Sequence, residues 1–390
     1  MFSPRLIFSI LWLSQIALHI GLHDLFFSFA EVTWFSIIIL FVSFISGTYF
    51  FVNIECSIKA STKINKHDIQ LFYWHFIIIY FFASAYAIFE LYRMLNDLGG
   101  GDFNAALIRK LVIDDFLEDR TLYSIFRIFY LGVGFSIFIL SFSKDLSLTQ
   151  LIIIFCIGLM SAVATTGRLY ILLFFIASSV LMYQNNIISR RLVFFGIFLF
   201  IALFFSLAIM FGKGDQDTVG TSILWNAQVY VMSSVACFND YVLTGDQEII
   251  GGAIAPNPVR AIFSFVGFEM PAKPSLLPFA SVPLDCNTYT LLFPLFHDGG
   301  LIGVLLGGAL LGLFHQYLYV KFQTSLNPLW WYIYAISLYP LVMSIFEDAY
   351  FSSPGFWMLL WIPPIIYIIF FGTPLGENST STPTELTLND

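Results

Sequence analysis

The sequence predicts an all-α polytopic membrane protein with about ten transmembrane helices and one large loop on the outer side of the membrane. Of its 390 residues, 58% are hydrophobic and only 11% are charged, whereas soluble domains carry about 25% charged residues. The polar residues are too few to cover a globule in water, so lipid is expected to surround most of the chain. Apolar runs of about 17–25 residues, the length that a helix needs to cross a bilayer, recur along it.

Ten apolar runs are predicted to span the membrane. The first has the composition of a secretory signal peptide, but no small-x-small cleavage site follows it, which favours a retained helix. The fifth and sixth runs are separated only by Thr165, Thr166 and Gly167, which predicts a tight helical hairpin. The runs lie near residues 5–22, 32–53, 71–92, 122–142, 148–164, 168–184, 191–211, 300–320, 329–346 and 354–372.

Charged residues near the ends of these runs predict the orientation of the chain. Lysine and arginine gather on one side, which is therefore expected to be cytoplasmic, while the other side receives the acidic 93–121 loop and the segment 212–287. A carboxylate-rich outer side fits the periplasmic face of a bacterial inner (cytoplasmic) membrane. The basic residues that set this orientation are Arg5, Lys59, Lys63, Lys66, Lys144, Arg190, Arg191 and Lys321.

The chain is predicted to divide into four parts. Residues 1–211 form a membrane bundle of the first seven spans, and residues 212–287 form the large periplasmic loop. Residues 288–372 form the last three spans with a re-entrant entry, and residues 373–390 form a disordered tail rich in Ser, Thr and Pro. Within the loop, the amphipathic stretch 223–243 is expected to lie on the membrane surface, followed by a Pro-rich cap over the bundle.

The four cysteines divide into two pairs. Cys56 and Cys156 lie at or within the membrane, where a buried small apolar side chain is the simplest interpretation. Cys237 and Cys286 lie in the outer segment, in an oxidising compartment, so they either form a disulfide bond or remain free thiols. The sequence leaves this choice open.

The stretch "NTYTLLFPLFHDGG", from Asn287 to Gly300, places the ionisable pair His297 and Asp298 at the mouth of an apolar run. Pro294 within it restricts helix formation and predicts broken or re-entrant backbone, which is tolerated at membrane depth only inside protein or beside a water-filled cavity. The pair is then expected to face that cavity and to act in catalysis. The alternative is structural, with Asp298 capping the next helix.

Two arginines on the outer side are candidates for binding a diphosphate, because the planar guanidinium bonds two oxygens and stays charged. Arg168, in "ATTGRLY", is expected to open a helix whose free N–H groups attract anions; the alternative is an arginine that reaches the lipid headgroups. Arg260, in "NPVRAIFSFVG", is the second candidate, with a plain surface residue as its alternative. Arg93, Lys213 and Lys273 are weaker candidates.

No metal, cofactor or nucleic acid is expected. Histidine and cysteine show no zinc spacing, and the only Asp-x-Asp, formed by Asp215 and Asp217, is weak evidence for a divalent metal. The net charge of −8 and the lack of a Lys/Arg run argue against a nucleic-acid partner.

Together, "TTGR" at the start of a span, a long outer loop, "NTYT", and "DGG" leading into "GVLLGGALLG" resemble the oligosaccharide repeat-unit polymerases of the Wzy type. The likeness covers roughly residues 161–320. Gly167, His297 and Gly299 depart from the usual residues of these motifs. The resemblance implies the helical architecture of the GT-C-like polymerases and ligases.

The resemblance also implies a glycosyl transfer in which undecaprenyl-diphosphate-linked oligosaccharide repeat units are polymerised into O-antigen or capsular polysaccharide. Arg168, Arg260 and Asn287 would bind the departing diphosphate, and Asp298 or His297 would act as the base. The implied partners are the lipid-linked oligosaccharides, membrane lipid and a chain-length regulator. The active site is expected on the periplasmic side.

Two further functions fit the same pattern. An O-antigen ligase, which transfers the finished glycan to lipid A core, shares the spans, the outer loop and the arginine and histidine chemistry. A translocator of lipid-linked oligosaccharide is the non-enzymatic alternative. Against a translocator, the charges gather at the outer face instead of along the bundle interior.

The Arg168→Lys variant tests whether Arg168 binds the diphosphate. Lysine keeps the charge but loses the bidentate fork. Since a charge-assisted hydrogen bond contributes about 1.5–3 kcal/mol, we expect polymer formation to fall by about 10–100-fold. The glycan chain length on the lipid is the measurement. A normal glycan chain length would instead indicate that Arg168 only reaches the lipid headgroups.

Overall fold

The chain is built almost entirely from α-helices. A computed structural model describes residues 2–22, 28–50, 66–97, 121–165, 167–210, 222–244, 253–267, 277, 279–282, 285–352 and 354–372. In these ranges the helices are α1 (Pro4–Gly21), α2 (Glu31–Gly47), α3 (Lys66–Asp97), α4 (Thr121–Leu140), α5 (Leu148–Ala164), α6 (Arg168–Gln184), α7 (Arg190–Met210), α8 (Ser222–Thr244), α9 (Asn257–Phe265), α10 (Leu292–Thr324), α11 (Pro328–Met343) and α12 (Pro354–Phe371).

Short elements complete the described fold. A 3₁₀ turn covers Ser143–Asp145. Strands β1 (Ala280–Ser281) and β2 (Asp285–Cys286) pair antiparallel, with Ala280 opposite Cys286. The predicted tail 373–390 lies outside the described residues.

Each of the ten predicted spans coincides with one helix. By length and composition, four helical segments in the described ranges are long and apolar enough to cross a membrane: Pro4–Gly21, Lys66–Arg93, Leu292–Thr324 and Pro354–Phe371. Shorter apolar helices accompany them at Glu31–Gly47, Ile125–Leu140, Leu148–Ala164 and Leu169–Gln184. The all-α membrane class is therefore supported, while the number of ten spans stays a prediction.

Helices α2 and α10 pack closely because glycines line their contact. Added side-chain carbons at Gly308 and Gly312 on α10 would overlap Ser43 Oγ and the carbonyl oxygen of Phe44. Gly47 on α2 faces the α10 backbone in the same way. Small residues spaced four apart let membrane helices approach closely, which explains the "GGALLG" pattern.

Helix α10 is broken at Gly300, where the backbone has φ 57° and ψ −148°, a conformation that is essentially restricted to glycine. The segment 292–299 therefore turns back along the segment 301–324. A Cβ at Gly303 would overlap the carbonyl oxygen of Leu295, which shows how closely the two segments pack. The broken backbone predicted for this stretch is confirmed, and we call the two segments the α10 hairpin.

The chain enters the α10 hairpin from within the bundle. The Leu291 N–H donates to the carbonyl oxygen of Ser344 at 3.0 Å, and Ser344 Oγ accepts from Trp12 Nε1 at 3.1 Å. Trp12 lies midway along α1, so Leu291 lies level with the middle of a membrane helix. The segment then continues to the break at Gly300, and a re-entrant path through the membrane stays a prediction.

The sequence predicted that residues 223–243 lie on the membrane surface, but helix α8, which they form, does not. Residues 232–239 are all buried. Gln15 Nε2 on α1 donates to the carbonyl oxygen of Val231 at 2.8 Å, and Asn239 Oδ1 accepts from Ala30 N at 2.8 Å at the start of α2. Small residues along α8, including Ser234 and Cys237, let neighbouring segments pack around it, and its polar groups find partners inside the protein.

Gly303→Ala and Gly299→Ala provide a matched test of the α10 hairpin. The first adds a carbon against the Leu295 backbone, whereas the second adds one where no atom lies within 4 Å. We expect Gly303→Ala to lower the free energy of unfolding by about 1–3 kcal/mol and Gly299→Ala to leave it unchanged or slightly raised. Thermal unfolding of the detergent-purified protein measures both. Equal behaviour of the two variants would contradict the close packing of the hairpin.

Candidate functional site

His297 and Asp298 lie at the tip of the α10 hairpin, directly before the break at Gly300. Asp298 is exposed, and its carboxylate accepts two backbone hydrogen bonds from a distant part of the chain. Ala253 N–H donates to Oδ1, and Ile254 N–H donates to Oδ2 at 2.8 Å. Asp298 therefore ties the outer loop to the hairpin. The alternative that it caps the next helix is wrong, since its partners lie some 45 residues earlier.

The loop that Asp298 holds leads directly into α9 and Arg260. The Arg260 side chain is only 1% exposed, and its Nε donates to the carbonyl oxygen of Ala255 at 2.9 Å. Burial lowers the pKa of the guanidinium, and the negative charge of Asp298 acts in the opposite direction. Because an arginine starts from a very high pKa, Arg260 stays charged at neutral pH. The interpretation of Arg260 as a surface residue is wrong.

His297 is held by a tyrosine that the sequence did not single out. Tyr241 Oη lies 2.7 Å from His297 Nδ1, and the Phe293 ring stacks on the imidazole with ring centroids 5.5 Å apart. Burial raises the pKa of the Tyr241 phenol, and the charge of Asp298 adds to this effect. The phenol is therefore neutral, and it either donates to Nδ1 or accepts from it. In the first case Nε2 carries the proton, and in the second Nε2 can accept one.

A disulfide bond fixes α8 to the entry of the α10 hairpin. Cys237 on α8 and Cys286 on β2 are joined, with their Cα atoms 6.6 Å apart, so the open choice between a disulfide and free thiols is resolved in favour of the disulfide. Beside it, Ser234 Oγ and Thr288 Oγ1 lie 3.1 Å apart. These links hold Tyr241 and His297 on two segments that are far apart in sequence.

Tyr241, Arg260, His297 and Asp298 form what we call the outer cluster, which is supplied by α8, α9 and the α10 hairpin. The cluster combines one buried cation, one exposed carboxylate, and an imidazole held by a neutral phenol. His297 and Asp298 can accept a proton and form hydrogen bonds at the hairpin tip, and the buried Arg260 adds a positive charge that interacts electrostatically with Asp298. The chain order gives no hint that Tyr241 belongs here, because no local spacing connects it with the hairpin.

Arg168 and Asn287, the other two predicted ligands of the diphosphate, lie elsewhere. Arg168 is the first residue of α6 and follows Gly167 in extended conformation, so its expected position at a helix start is confirmed. Its side chain lies outside the described residues. Helix α6 packs mainly against α4, α5, α7 and α11 instead of the helices of the outer cluster. Asn287 is half-buried directly after β2, at the inner entry of the α10 hairpin.

The remaining candidates are only partly described. Arg93 forms an ion pair with Glu90 at 2.8 Å, so the structure gives it a structural partner. Lys213, Lys273, Asp215 and Asp217 lie outside the described residues. Within the described ranges, no group of three or more His, Cys, Asp or Glu side chains has the arrangement of a metal site. The expectation that no metal is needed stays a prediction.

The Cys237–Cys286 disulfide bond gives a direct prediction. Its loop of 49 residues corresponds to a stabilisation of about 4 kcal/mol in the chain-entropy model. Unfolded but unreduced protein should bind a thiol reagent at two of its four cysteines, and at all four after reduction. Mass spectrometry of the labelled protein distinguishes these states, and labelling at four sites before reduction would contradict the bond.

A comparison of the chain with protein-family models, with curated proteins and with solved structures finds no match. The likeness to Wzy-type polymerases therefore rests on the sequence motifs alone. The geometry of the outer cluster has to be judged on its own chemistry.

Proposed function

We propose that this chain is a membrane glycosyltransferase that polymerises undecaprenyl-diphosphate-linked oligosaccharide repeat units into O-antigen or capsular polysaccharide. The reaction takes place at the periplasmic face of the bacterial inner membrane. One observation carries the proposal: Asp298, at the tip of a re-entrant hairpin, holds the loop that leads to the buried cation Arg260. An acid–base pair and a cation are thereby tied together at the outer end of an apolar helix.

The reaction requires these groups. A hydroxyl of one lipid-linked repeat unit attacks the anomeric carbon of another chain, and the bond from that carbon to the diphosphate oxygen breaks. The electron pair leaves with the undecaprenyl diphosphate, whose added charge Arg260 stabilises from within the outer cluster. Arg168 begins a helix away from this cluster, so its role as a second cation stays a prediction. The proton of the attacking hydroxyl passes to a base in the outer cluster.

Asp298 is the base in this proposal, because it is the more exposed member of the pair. Each of its oxygens accepts one backbone N–H and keeps a further lone pair for the attacking hydroxyl. His297, held at Nδ1 by Tyr241, orients that hydroxyl. Asn287 lies at the inner entry of the hairpin and not at its tip, so its role as a ligand of the diphosphate stays a prediction.

The same chemistry serves an O-antigen ligase, and a gene deletion separates the possibilities. Loss of the polymerase leaves single repeat units on the lipid core, whereas loss of the ligase leaves no glycan there. Loss of a translocator removes single repeat units from the outer face altogether. The proposal expects the first of these three outcomes.

Asp298→Asn, with Asp240→Asn as its matched control, tests the role of the base. The amide that replaces the Asp298 carboxylate cannot take a proton, so we expect polymerisation of lipid-linked repeat units in proteoliposomes to fall by about 10²–10⁴-fold. Asp240 is a carboxylate beside Tyr241 on α8, and its replacement removes the same charge away from the hairpin tip. We expect that variant to retain activity within a few-fold of wild type.

Accumulation and melting temperature of both variants must be measured, because Asp298→Asn also replaces one acceptor oxygen with an NH₂ group that faces a backbone N–H. Normal glycan chain length from a well-accumulated Asp298→Asn protein would overturn the catalytic role. An equal loss in both variants would assign the effect to charge and not to proton transfer.

A further inference from the structure

Helix α9 is buried at Arg260, and every residue from 261 to 267 is exposed. On one face Arg260 is 1% exposed, whereas Ile262, Phe265 and Val266 are 64%, 93% and 66% exposed. Residues three and four apart lie on the same side of a helix, so these three apolar side chains share one face, directed away from Arg260. We call this the apolar face of α9. An apolar surface of this kind on an otherwise folded protein indicates a contact with something else.

The apolar face continues a surface that already belongs to the membrane. Asp298 holds the loop immediately before α9 at the tip of the α10 hairpin. Directly beyond that tip, the outer end of α10 exposes Leu301, Ile302, Leu305 and Leu306, and α10 is long and apolar enough to cross a bilayer. The start of α9 is therefore fixed at the level where this lipid-facing surface begins.

We propose that α9 is an interfacial helix whose apolar face inserts into the acyl-chain region of the outer leaflet. Phenylalanine and aliphatic side chains on one side, with an arginine on the other, are the composition of helices that lie in the membrane interface. The sequence placed such a helix at 223–243, but α8 is buried there and the shorter α9 takes that place. The inference does not rest on the proposed reaction and holds equally for a ligase or a translocator.

Bilayer lipid fits the apolar face better than a protein partner does. A stable protein interface buries about 800 Å² on each partner, whereas this face consists of three side chains on and just beyond a nine-residue helix. Lipid requires no such minimum, because each apolar side chain partitions on its own. The consequence is that Arg260, on the opposite face, is held inside the protein at headgroup depth.

Spin labels at three positions test the depth of α9. In a Cys56→Ser, Cys156→Ser background that keeps the Cys237–Cys286 disulfide bond, single cysteines are introduced by Phe265→Cys, Ile302→Cys and Thr244→Cys. Ile302 is the lipid control, being 70% exposed on α10, and Thr244 is the water control, being exposed at the end of α8. The labelled proteins are reconstituted in vesicles of phosphatidylethanolamine and phosphatidylglycerol, and relaxation by oxygen and by a water-soluble nickel complex is compared.

We expect the label at position 265 to match position 302, with oxygen far more effective than nickel, and position 244 to show the reverse. A label at 265 that behaves like the one at 244 would overturn the proposal. So would a label at 265 that is shielded from both reagents, since protein would then cover the face. If Phe265→Cys fails to accumulate, Ile262→Cys gives the same measurement. No activity is measured, so failure here is distinguishable from failure of the proposed reaction.

Discussion

The structure depends on one constraint: backbone that leaves helical geometry inside a membrane must find its hydrogen bonds within the protein. The entry to the α10 hairpin is such backbone, and its groups are paired individually. The Leu291 N–H donates to Ser344, the carbonyl oxygen of Tyr289 accepts from the Asp348 N–H, and the Leu292 N–H donates to Thr290 Oγ1 at 3.3 Å. The segment 344–352 thus supplies hydrogen-bond partners that the hairpin entry does not find within itself, and both segments must be enclosed by the bundle.

This constraint explains why α8 is buried. The segment that enters the hairpin is buried, and helix α8 packs against it. The two are joined by the Cys237–Cys286 bond and by the contact of Phe238 with Phe296, whose ring centroids are 5.5 Å apart. Tyr241 reaches His297 as a consequence of that packing. The outer cluster therefore results from the packing of α8 against the α10 hairpin.

The sequence predicted the parts of this fold that depend on local physics. Helix positions follow from apolar runs of the length that a bilayer demands. The break in α10 falls at Gly300, whereas Pro294, from which it was predicted, lies in the first turn of the helix, where proline is tolerated. What it missed depends on contacts between distant segments. The burial of Arg260, the contact of Tyr241 with His297 and the burial of α8 are three such features. Each arises from packing between segments that are distant in the sequence. Hydrophobicity alone does not tell a helix buried in protein from one lying on lipid.

Asp298 has two structural roles, one in the electrostatics of Arg260 and one in the hydrogen bonding of the loop before α9. A buried guanidinium is costly unless an opposite charge is near, and the negative charge of Asp298 favours the charged form of Arg260. It also satisfies two backbone N–H groups that no helix or strand uses. Asp298 thus has a structural role that does not depend on catalysis. With α9 fixed at its start by Asp298 and lipid holding its apolar face, as proposed, the position of Arg260 is set from two sides. A base at this tip would then stand at a constant distance from the cation that it works with, whatever sugar is bound between them.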